Sequence, residues 1–484
     1  PHKRNSELFW KTKEDFAEKY NIEFNGFAEA EASNREAQEH QAKSYFDTVF
    51  SVLHSNQELV DYLADTLIEL GESVPEKLDD CKITIKNPAD DSKLFNVNSL
   101  PETLFVDPGT KAPNRVGLSK YASYINSRSI DKYGRPLVIA MSADLADSTN
   151  ISGFAKGFEG SKDLGLYNYK TNQESPLIPQ GITEFTNSGM LAGLATVNFD
   201  EKPYEAFNGF YGAMSTYGSF SYLKYGPIRL FSQLAQDSNL KVGKLIWIAG
   251  HSGPETAEDS RTHFGIFAPG VTQLFPDGHI INLHPWEHNE VAPSLAAALS
   301  TDVPIVALHL TRPPVEIPDR KKLGMASHLD ASKGAYIIKD YNNDKEKMGV
   351  IIVRGTSSTS SVVSLIDQLK QNGPNVKIVS AISWELFSKQ SKDYQENIIS
   401  HTEWSDSMVI TNGALRLMHK WISNKIVEQY SMSPDFDNRW RTGGSVDEIV
   451  AESKLDSKSI MDGIIKFANE RPKRLELIKK SLPS

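Results

Sequence analysis

Residues 244–263, KLIWIAGHSGPETAEDSRTH, join an apolar run to a turn crowded with titratable side chains. The apolar part (244–250) is typical of a fully buried strand. The following thirteen residues hold two imidazoles and three carboxylates, which a protein core does not favour because buried charges are costly. A ligand would explain them, since open α/β sheets bind ligands beyond the carboxyl ends of their strands. The stretch therefore predicts a buried strand with a binding site at its end.

Similar apolar runs recur along the chain and alternate with longer helical stretches. They are PLVIAMSADL (136–145), HIINLHP (279–285), VPIVALHLT (303–311), GVIIVRGTS (349–357), VKIVSAIS (376–383) and SMVITNG (407–413). Strand and helix alternating at this spacing predicts βαβ units and mostly parallel sheets. We predict two consecutive α/β domains, residues 113–325 and 326–484.

The first 112 residues have a different pattern. Residues 45–70 place apolar side chains three and four apart, which predicts amphipathic helices. Residues 85–115 are rich in proline and glycine and predict an irregular connector. We therefore expect residues 1–112 to form a helical arm and linker.

Composition narrows the class of protein. The chain has 484 residues and a net charge of -10, so its overall field opposes nucleic acid. No apolar run reaches the roughly 18 residues of a membrane helix. The single cysteine, Cys81, excludes an intramolecular disulfide and fits a reducing cytoplasm. Because the chain starts at Pro1 without a secretory signal, we expect a processed chain or a fragment of a longer protein.

Two further strand ends carry reactive side chains. SADLADST (142–149) follows one predicted strand and TRPPV (311–315) follows another. Arg312 could bind a phosphate or carboxylate bidentately. Serine, histidine, aspartate and arginine converging at strand ends favour a pocket for a polar, anionic metabolite.

Between these turns, Glu184 precedes a Gly/Ala-rich apolar helix, and residues 210–226 are dense in aromatics. A carboxylate buried against small residues would suit proton transfer. Alternatively, it is a helix N-terminal glutamate favoured by the macrodipole. The aromatics would form core or interface, or a wall for a flat heterocycle.

Two other patterns invite functional interpretations that we do not favour. His279, His284 and His288 have a spacing that could suggest a metal site, but strand alternation would turn the first two apart. The serines of RGTSSTSSVVS (354–364) could hold an anion, although an ordinary capped helix is the simpler explanation.

Taken in order, SADLADST, GITEF, STYGSF, HSGPETAEDSRTH and LHLTR resemble the motifs of the transketolases, which depend on thiamine diphosphate. The resemblance covers roughly residues 115–320 and implies the family's pyrimidine-binding domain. The second α/β segment is similar to the family's C-terminal domain, and the arm to its linker.

The resemblance implies roles for particular residues. Glu184 would contact the aminopyrimidine ring and promote its imino tautomer, with Tyr217 and Phe220 packed around the ring. His251 and His263 would bind ketose hydroxyls and move protons, and Asp259 would recognise a sugar hydroxyl. The substrate phosphate would be bound by Ser148, Arg312 and Lys120. Lys120 stands where the family has arginine, and Leu223 stands where it has a third aromatic.

No segment resembles the family's G-D-G…N motif, and no glycine-rich phosphate loop or paired-carboxylate Mg²⁺ site stands out. The resemblance therefore implies that a partner chain, or an N-terminal domain outside this sequence, holds the diphosphate and Mg²⁺ in a homo- or hetero-oligomer. The implied reaction is transfer of a two-carbon ketol unit between phosphorylated sugars, as in the pentose phosphate pathway. The alternatives are a non-catalytic binding or regulatory subunit and, less favoured, an E1-type 2-oxo acid decarboxylase component.

Overall fold

The computed structural model describes residues 6–26, 35–72, 87–441 and 443–481. Two compact units are present, residues 1–82 and residues 83–484. Cys81 lies outside the described residues. None of the described helices is long and apolar enough to cross a membrane.

The first unit is helical, as predicted. Its helices are α1 (Glu7–Tyr20), α2 (Arg35–Ser55) and α3 (Gln57–Glu72). The hydroxyl of Ser6 caps α1 by accepting from the Phe9 amide, which supplies one of the partners that the first turn of a helix lacks. The amphipathic stretch at 45–70 falls on α2 and α3.

The second unit contains two α/β domains. The strands of the first are β1 (Lys111–Ala112), β2 (Val138–Ser142), β3 (Leu177–Ile178), β4 (Tyr211–Thr216), β5 (Leu245–Ala249), β6 (Ile280–Leu283), β7 (Ile305–His309) and β8 (Val315–Glu316). The helices from residue 87 to residue 325 are α4 (Ser92–Phe95), α5 (Asn114–Tyr133), α6 (Ala146–Thr149), α7 (Glu184–Thr196), α8 (Tyr225–Asp237), α9 (His288–Leu299) and α10 (Arg320–Leu323).

The second domain has the strands β9 (Ala335–Lys339), β10 (Val350–Arg354), β11 (Lys377–Ala381) and β12 (Ser407–Thr411). Its helices are α11 (Thr356–Ser364), α12 (Ile366–Gln371), α13 (Trp384–Ser388), α14 (Lys392–Ile398), α15 (His401–Ser405), α16 (Lys425–Tyr430), α17 (Val446–Glu452), α18 (Ser457–Asn469) and α19 (Arg471–Ser481). Short 3₁₀ helices span Pro88–Asp90, Val97–Ser99, Glu102–Leu104, Ile151–Ala155, Gly218–Lys224, Pro254–Glu258, Arg261–His263, Ala268–Gln273, His328–Lys333 and Leu415–Trp421.

The main sheet of the first domain has six parallel strands in the order β3-β2-β4-β5-β7-β6. Each strand predicted from an apolar run is present, because strands buried on both faces are apolar throughout. Ala249 pairs with Thr216 on one side and with His309 on the other. This register brings the turns after β4, β5 and β7 to one edge of the sheet.

The second sheet has the order β12-β10-β11-β9, with β9 antiparallel to β11. The three apolar runs predicted for this domain form β10, β11 and β12. Two longer strands were not predicted, β4 within the aromatic stretch and β9 at the start of the polar segment at 339–347, and neither were the two-residue strands β1, β3 and β8.

The connector before α5 packs on the first α/β domain. Leu94 and Leu104 are buried in the same apolar cluster as Leu118 of α5. The Tyr121 hydroxyl donates to the Leu94 carbonyl at 3.0 Å. Residues 87–112, which the sequence analysis placed in the arm and linker, are thus part of the core of the second unit.

The two α/β domains share buried polar contacts. Asn114 Nδ2 donates to Thr356 Oγ1 at 3.2 Å, and Glu255 accepts from Ser357 and from Asn412 Nδ2 at 3.1 Å. The Ser357 amide also donates to Glu255, at 3.3 Å. The serine-rich segment therefore forms the predicted helix, α11, and a carboxylate of the chain itself lies at its N-terminus.

Candidate active site

Four predicted site residues lie beyond strand ends of the main sheet. Ser148 lies on α6 after β2, Tyr217 follows β4, His251 follows β5 and Arg312 follows β7. The Ser148 hydroxyl is 3.1 Å from the Tyr217 hydroxyl. The parallel register therefore brings residues from four separate segments to one place.

Two imidazoles and a tyrosine form the centre of the site. The Tyr217 ring centroid is 4.0 Å from that of His251 and 4.4 Å from that of His263. His263 Nδ1 lies 3.0 Å from Asp259 Oδ2. Phe220 meets the other edge of His263, with centroids 5.9 Å apart. The predicted histidines and Asp259 thus lie together.

Two guanidinium groups flank these imidazoles. Arg312 forms an ion pair with Asp259 and lies 3.8 Å from Glu258. Arg115, near the start of α5, donates from Nη1 to the Ser148 carbonyl and lies 3.4 Å from His251 Nε2. The sequence analysis did not single out Arg115.

Lys120 lies elsewhere on the same helix. Its Nζ donates to the Thr103 carbonyl at 3.3 Å. Five residues along an α-helix correspond to a rotation of about 140° around its axis, so Lys120 and Arg115 project in different directions. The structure brings Arg115, not Lys120, to the Ser148 loop.

Both imidazoles are held neutral. Burial lowers the pKa of His251 to about 2, with further lowering by the nearby charges of Arg115 and Arg312. Burial also lowers the pKa of His263. Since a guanidinium can only donate, His251 Nε2 is the acceptor toward Arg115 and its proton lies on Nδ1. That nitrogen is buried and has no hydrogen-bond partner among the described residues.

Glu184 is the first residue of α7, as the sequence predicted, and is only 6% exposed. Its Oε1 accepts from Thr216 Oγ1 at 2.8 Å. Lys224 is buried nearby, and its Nζ donates to the carbonyl of Ile248 at 2.9 Å. Burial holds the pKa of Lys224 well below its usual value, and the negative charge of Glu184 opposes that shift. Lys224 was not expected here, because a lysine within an aromatic stretch suggests an exposed side chain.

Apolar surface surrounds this end of α7. Ile182 and Phe185 are 78% and 65% exposed. Phe220 borders an open cleft of about 1070 Å³ that Tyr222 and Trp440 also line. Leu223, at the position of the expected third aromatic, is exposed on the neighbouring 3₁₀ helix.

Metal binding is a poor explanation for the histidine clusters. Possible ligand atoms of His251, Asp259 and His263 lie within 4.8 Å of one another, but Arg312 already pairs with that aspartate and its charge would repel a cation. The other three histidines diverge. His279 Nδ1 is 2.8 Å from the Ser232 hydroxyl, His284 stacks on His309, and His288 Nε2 lies 3.2 Å from the Leu104 carbonyl.

Two family models and several known proteins match this chain. The transketolase pyrimidine-binding domain family matches residues 133–316, and the transketolase-like C-terminal domain family matches residues 334–433. A transketolase from Nostoc sp. is 27% identical over 330 residues, covering 66% of this chain and 43% of that protein. A chloroplastic transketolase from Craterostigma plantagineum is 31% identical over 166 residues, covering 34% of this chain and 30% of that protein. The chain therefore matches less than half the length of these relatives.

Solved structures show the same fold. The chain resembles transketolase from Leishmania mexicana with a TM-score of 0.57 at 16% identity, covering 96% of this chain and 58% of that one. It resembles a Pichia stipitis transketolase with a TM-score of 0.54 at 19% identity, covering 92% of this chain and 55% of that one. With two consecutive family domains that together span more than half of its length, the chain belongs to the transketolase family.

Proposed function

We propose that this chain forms the pyrimidine-binding part of a transketolase-type active site, which transfers a two-carbon ketol unit between phosphorylated sugars. The observation that carries the proposal is the convergence of Glu184, the two imidazoles and two guanidinium groups at the carboxyl ends of parallel strands. A carboxylate, neutral proton carriers and an anion-binding pair are the groups that this reaction needs.

The residues near Glu184 fit the aminopyrimidine of thiamine diphosphate. The buried carboxylate is followed by exposed Phe185, and half-buried Phe220 lies on the 3₁₀ helix that packs against α7. A flat heterocycle requires such a combination of a carboxylate and aromatic side chains. When bound, the cofactor would supply the electron sink for cleaving a bond next to a ketone. Glu184 would bind the ring at its edge, and Thr216 would hold that carboxylate in place through its hydroxyl.

The diphosphate and Mg²⁺ fit this chain less well. Mg²⁺ prefers oxygen ligands, whereas the one metal-like cluster among the described residues contains two imidazoles and lies beside Arg312. We therefore propose that a partner polypeptide, or another part of a longer chain, binds the diphosphate and the metal. The exposed apolar side chains next to Glu184, Ile182 and Phe185, would lie against that partner.

On the substrate side, neutral His263 would accept a proton from one sugar hydroxyl and return it to another atom. His251, whose pKa of about 2 makes it a poor base, would instead donate its Nδ1–H, which has no partner among the described residues, to a substrate oxygen. Arg115, Arg312 and Ser148 would bind the phosphate, so Arg115 replaces Lys120 in the proposal. The Pichia stipitis structure contains sedoheptulose 7-phosphate, which supports a phosphorylated ketose as the donor.

Reconstitution tests the function. The full chain would be mixed with purified polypeptides that carry a diphosphate-binding domain, with thiamine diphosphate and Mg²⁺, and assayed with xylulose 5-phosphate and ribose 5-phosphate. We expect activity that Glu184→Ala lowers by about 100-fold or more, the range for loss of a proton-transferring group. Exposed Glu201→Ala is the matched control and should be fully active. Activity that survives Glu184→Ala would refute the role of that carboxylate.

Two matched substitutions, at Arg115 and at Lys120, test the proposed phosphate site. Arg115→Gln should raise KM for ribose 5-phosphate at least about tenfold, because a charge-assisted hydrogen bond is lost. It should change KM for an unphosphorylated acceptor much less. Lys120→Gln should leave KM unchanged for both the phosphorylated and the unphosphorylated acceptor. A larger increase in KM for Lys120→Gln than for Arg115→Gln would show that α5 presents Lys120 to the substrate phosphate.

The reconstitution assay also tests the alternative function. Binding of phosphorylated sugars without turnover, whichever partner is added, would favour a non-catalytic binding subunit.

A further inference from the structure

A second cavity lies between the two α/β domains, away from the residues assigned above. Its volume is about 290 Å³, near the lower end of the range for small-molecule sites. It lies where the strands β6, β10 and β11 end, and parallel sheets bind ligands at such ends. Its lining includes Asn282, His284, Arg354, Trp384, Glu385 and Lys420.

Arg354 is the charged group at the base of this cavity. It is the last residue of β10 and only 4% exposed. Its Nη1 donates to the Leu417 carbonyl at 3.1 Å, whereas its Nη2 is buried without a hydrogen-bond partner among the described residues. A buried cation that lacks a paired anion is costly. Burial accordingly lowers the pKa of Arg354 to about 10, so the guanidinium remains charged at neutral pH.

The other charged groups around the cavity are already paired. Glu385 Oε2 accepts from the backbone N–H of Asn282 at 3.2 Å and from the Ser383 hydroxyl at 3.3 Å. Its other oxygen lies 3.7 Å from Lys420 Nζ. Lys420 in turn pairs with exposed Asp277 at 2.6 Å. Arg354 itself has no ion pair among the described residues, although the negative charge of Glu385 acts on it from a distance.

One buried imidazole, that of His284, also lines the cavity. His284 stacks on His309 with ring centroids 4.6 Å apart. Burial and the charge of Arg354 lower the pKa of both imidazoles. Neither ring adds positive charge, so Nη2 of Arg354 is the group that an anion would contact. Trp384 and Trp421 give the opposite wall an apolar surface.

We propose that this cavity binds a small organic anion, whose carboxylate or phosphate pairs with Arg354 and whose carbon skeleton packs on Trp384. None of the residues that line this cavity is assigned to the proposed catalytic site, and anion binding here would not depend on the proposed reaction.

Anion titrations of the full chain test the proposal. The Arg115→Gln/Arg312→Gln double variant would be used throughout, so that the first anion site does not contribute. Inorganic phosphate and acetate would be titrated separately at constant ionic strength, with methylammonium as the cation control. Tryptophan fluorescence reports on Trp384, and calorimetry gives Kd. We expect saturable binding of at least one anion, and the stronger of the two identifies the preferred group.

Two further substitutions decide the outcome. Arg354→Met should weaken binding at least about tenfold through loss of the charged hydrogen bond. Lys420→Glu changes a partly exposed side chain at the cavity mouth and should also weaken binding, even if Arg354→Met does not fold. Circular dichroism would verify the fold of each variant. Absence of saturation by either anion up to about 20 mM, beyond the millimolar range of weak ligands, would overturn the proposal. The proposal would also be overturned if Arg354→Met and Lys420→Glu both fold and bind the anion with unchanged affinity.

Discussion

Four buried histidines should make this protein sensitive to mild acid. His251, His284, His288 and His309 are each 9% exposed or less. Burial lowers the pKa to about 2 for His251, about 4 for His288 and about 3 for His309, and well below the usual value for His284. In the unfolded chain all four would titrate near 6.5.

The direction of the pH effect on stability follows from the number of protons that the folded and unfolded states bind. Because the folded pKa values are depressed, the unfolded state binds more protons between about pH 4 and pH 6.5. These four histidines therefore make the free energy of unfolding rise with pH through this window and fall as the solution is acidified, whereas Glu287, whose pKa burial raises to about 7, has the opposite effect. At about pH 5.5 each neutral imidazole costs about 1.4 kcal/mol relative to the unfolded state. Together the four cost about 5–6 kcal/mol, close to the whole stability of many domains.

Proton uptake on unfolding measures this effect directly. The chain would be unfolded in unbuffered urea near pH 5.5 and the acid needed to hold the pH recorded. His288→Gln can retain the donation to the Leu104 carbonyl while removing the titrating group. It should reduce the uptake by about 0.9 proton per chain.

An exposed histidine supplies the control. His401→Gln, a substitution of the same kind at an exposed position, is the matched variant for the loss of an imidazole as such. Equal uptake by wild type and His288→Gln would refute the reasoning, since it would mean that this imidazole is charged in the folded protein.

Two other substitutions have predictable effects on stability. Arg320→Met should lower the free energy of unfolding by about 3–5 kcal/mol in urea denaturation, because it leaves the buried carboxylates of Glu287 and Glu290 without the guanidinium that binds both. Gly355→Ala should lower the unfolding temperature, at a cost of at least about 2 kcal/mol, because the residue has a φ of +95° and an added Cβ would collide with Asn412.

Matched variants separate these mechanisms from general damage. Arg320→Lys keeps the charge and should cost less than Arg320→Met. Gly193→Ala, within α7, meets no atom within 4 Å and should be neutral or stabilising because alanine favours helix. A Gly355→Ala protein as stable as wild type would contradict the close approach to Asn412.

The sequence predicts the sheets well because strands buried on both faces are apolar throughout. β5 and β7 illustrate this, since the runs LIWIA and IVALH have no polar alternation. β4 was missed because YGAMST contains small residues and lies within a stretch that also serves the site. β9 was missed because it pairs at the antiparallel edge, just before a polar segment.

The candidate site was partly predictable for the same physical reason. The spacing between His251 and His263 is short, so local 3₁₀ turns fix their approach. The choice between Arg115 and Lys120 depends on the rotational phase and length of α5 relative to the strand ends, which the motif does not specify. Lys224 was unpredictable because its burial depends on carbonyl acceptors from two different strands, Met214 and Ile248.

Net charge and local charge point in opposite directions in this protein. The chain carries a net charge of -10, which by itself would repel phosphorylated sugars. At the strand ends, however, two guanidinium groups lie beside imidazoles that burial keeps neutral. Arg312 is paired with Asp259 and lies near Glu258, so the charge free to attract an anion would come mainly from Arg115, in a partly desolvated pocket where screening is weak. In the proposed function, recognition of an anionic substrate would therefore depend on where Arg115 and Arg312 are placed, and the overall acidity of the surface is compatible with it.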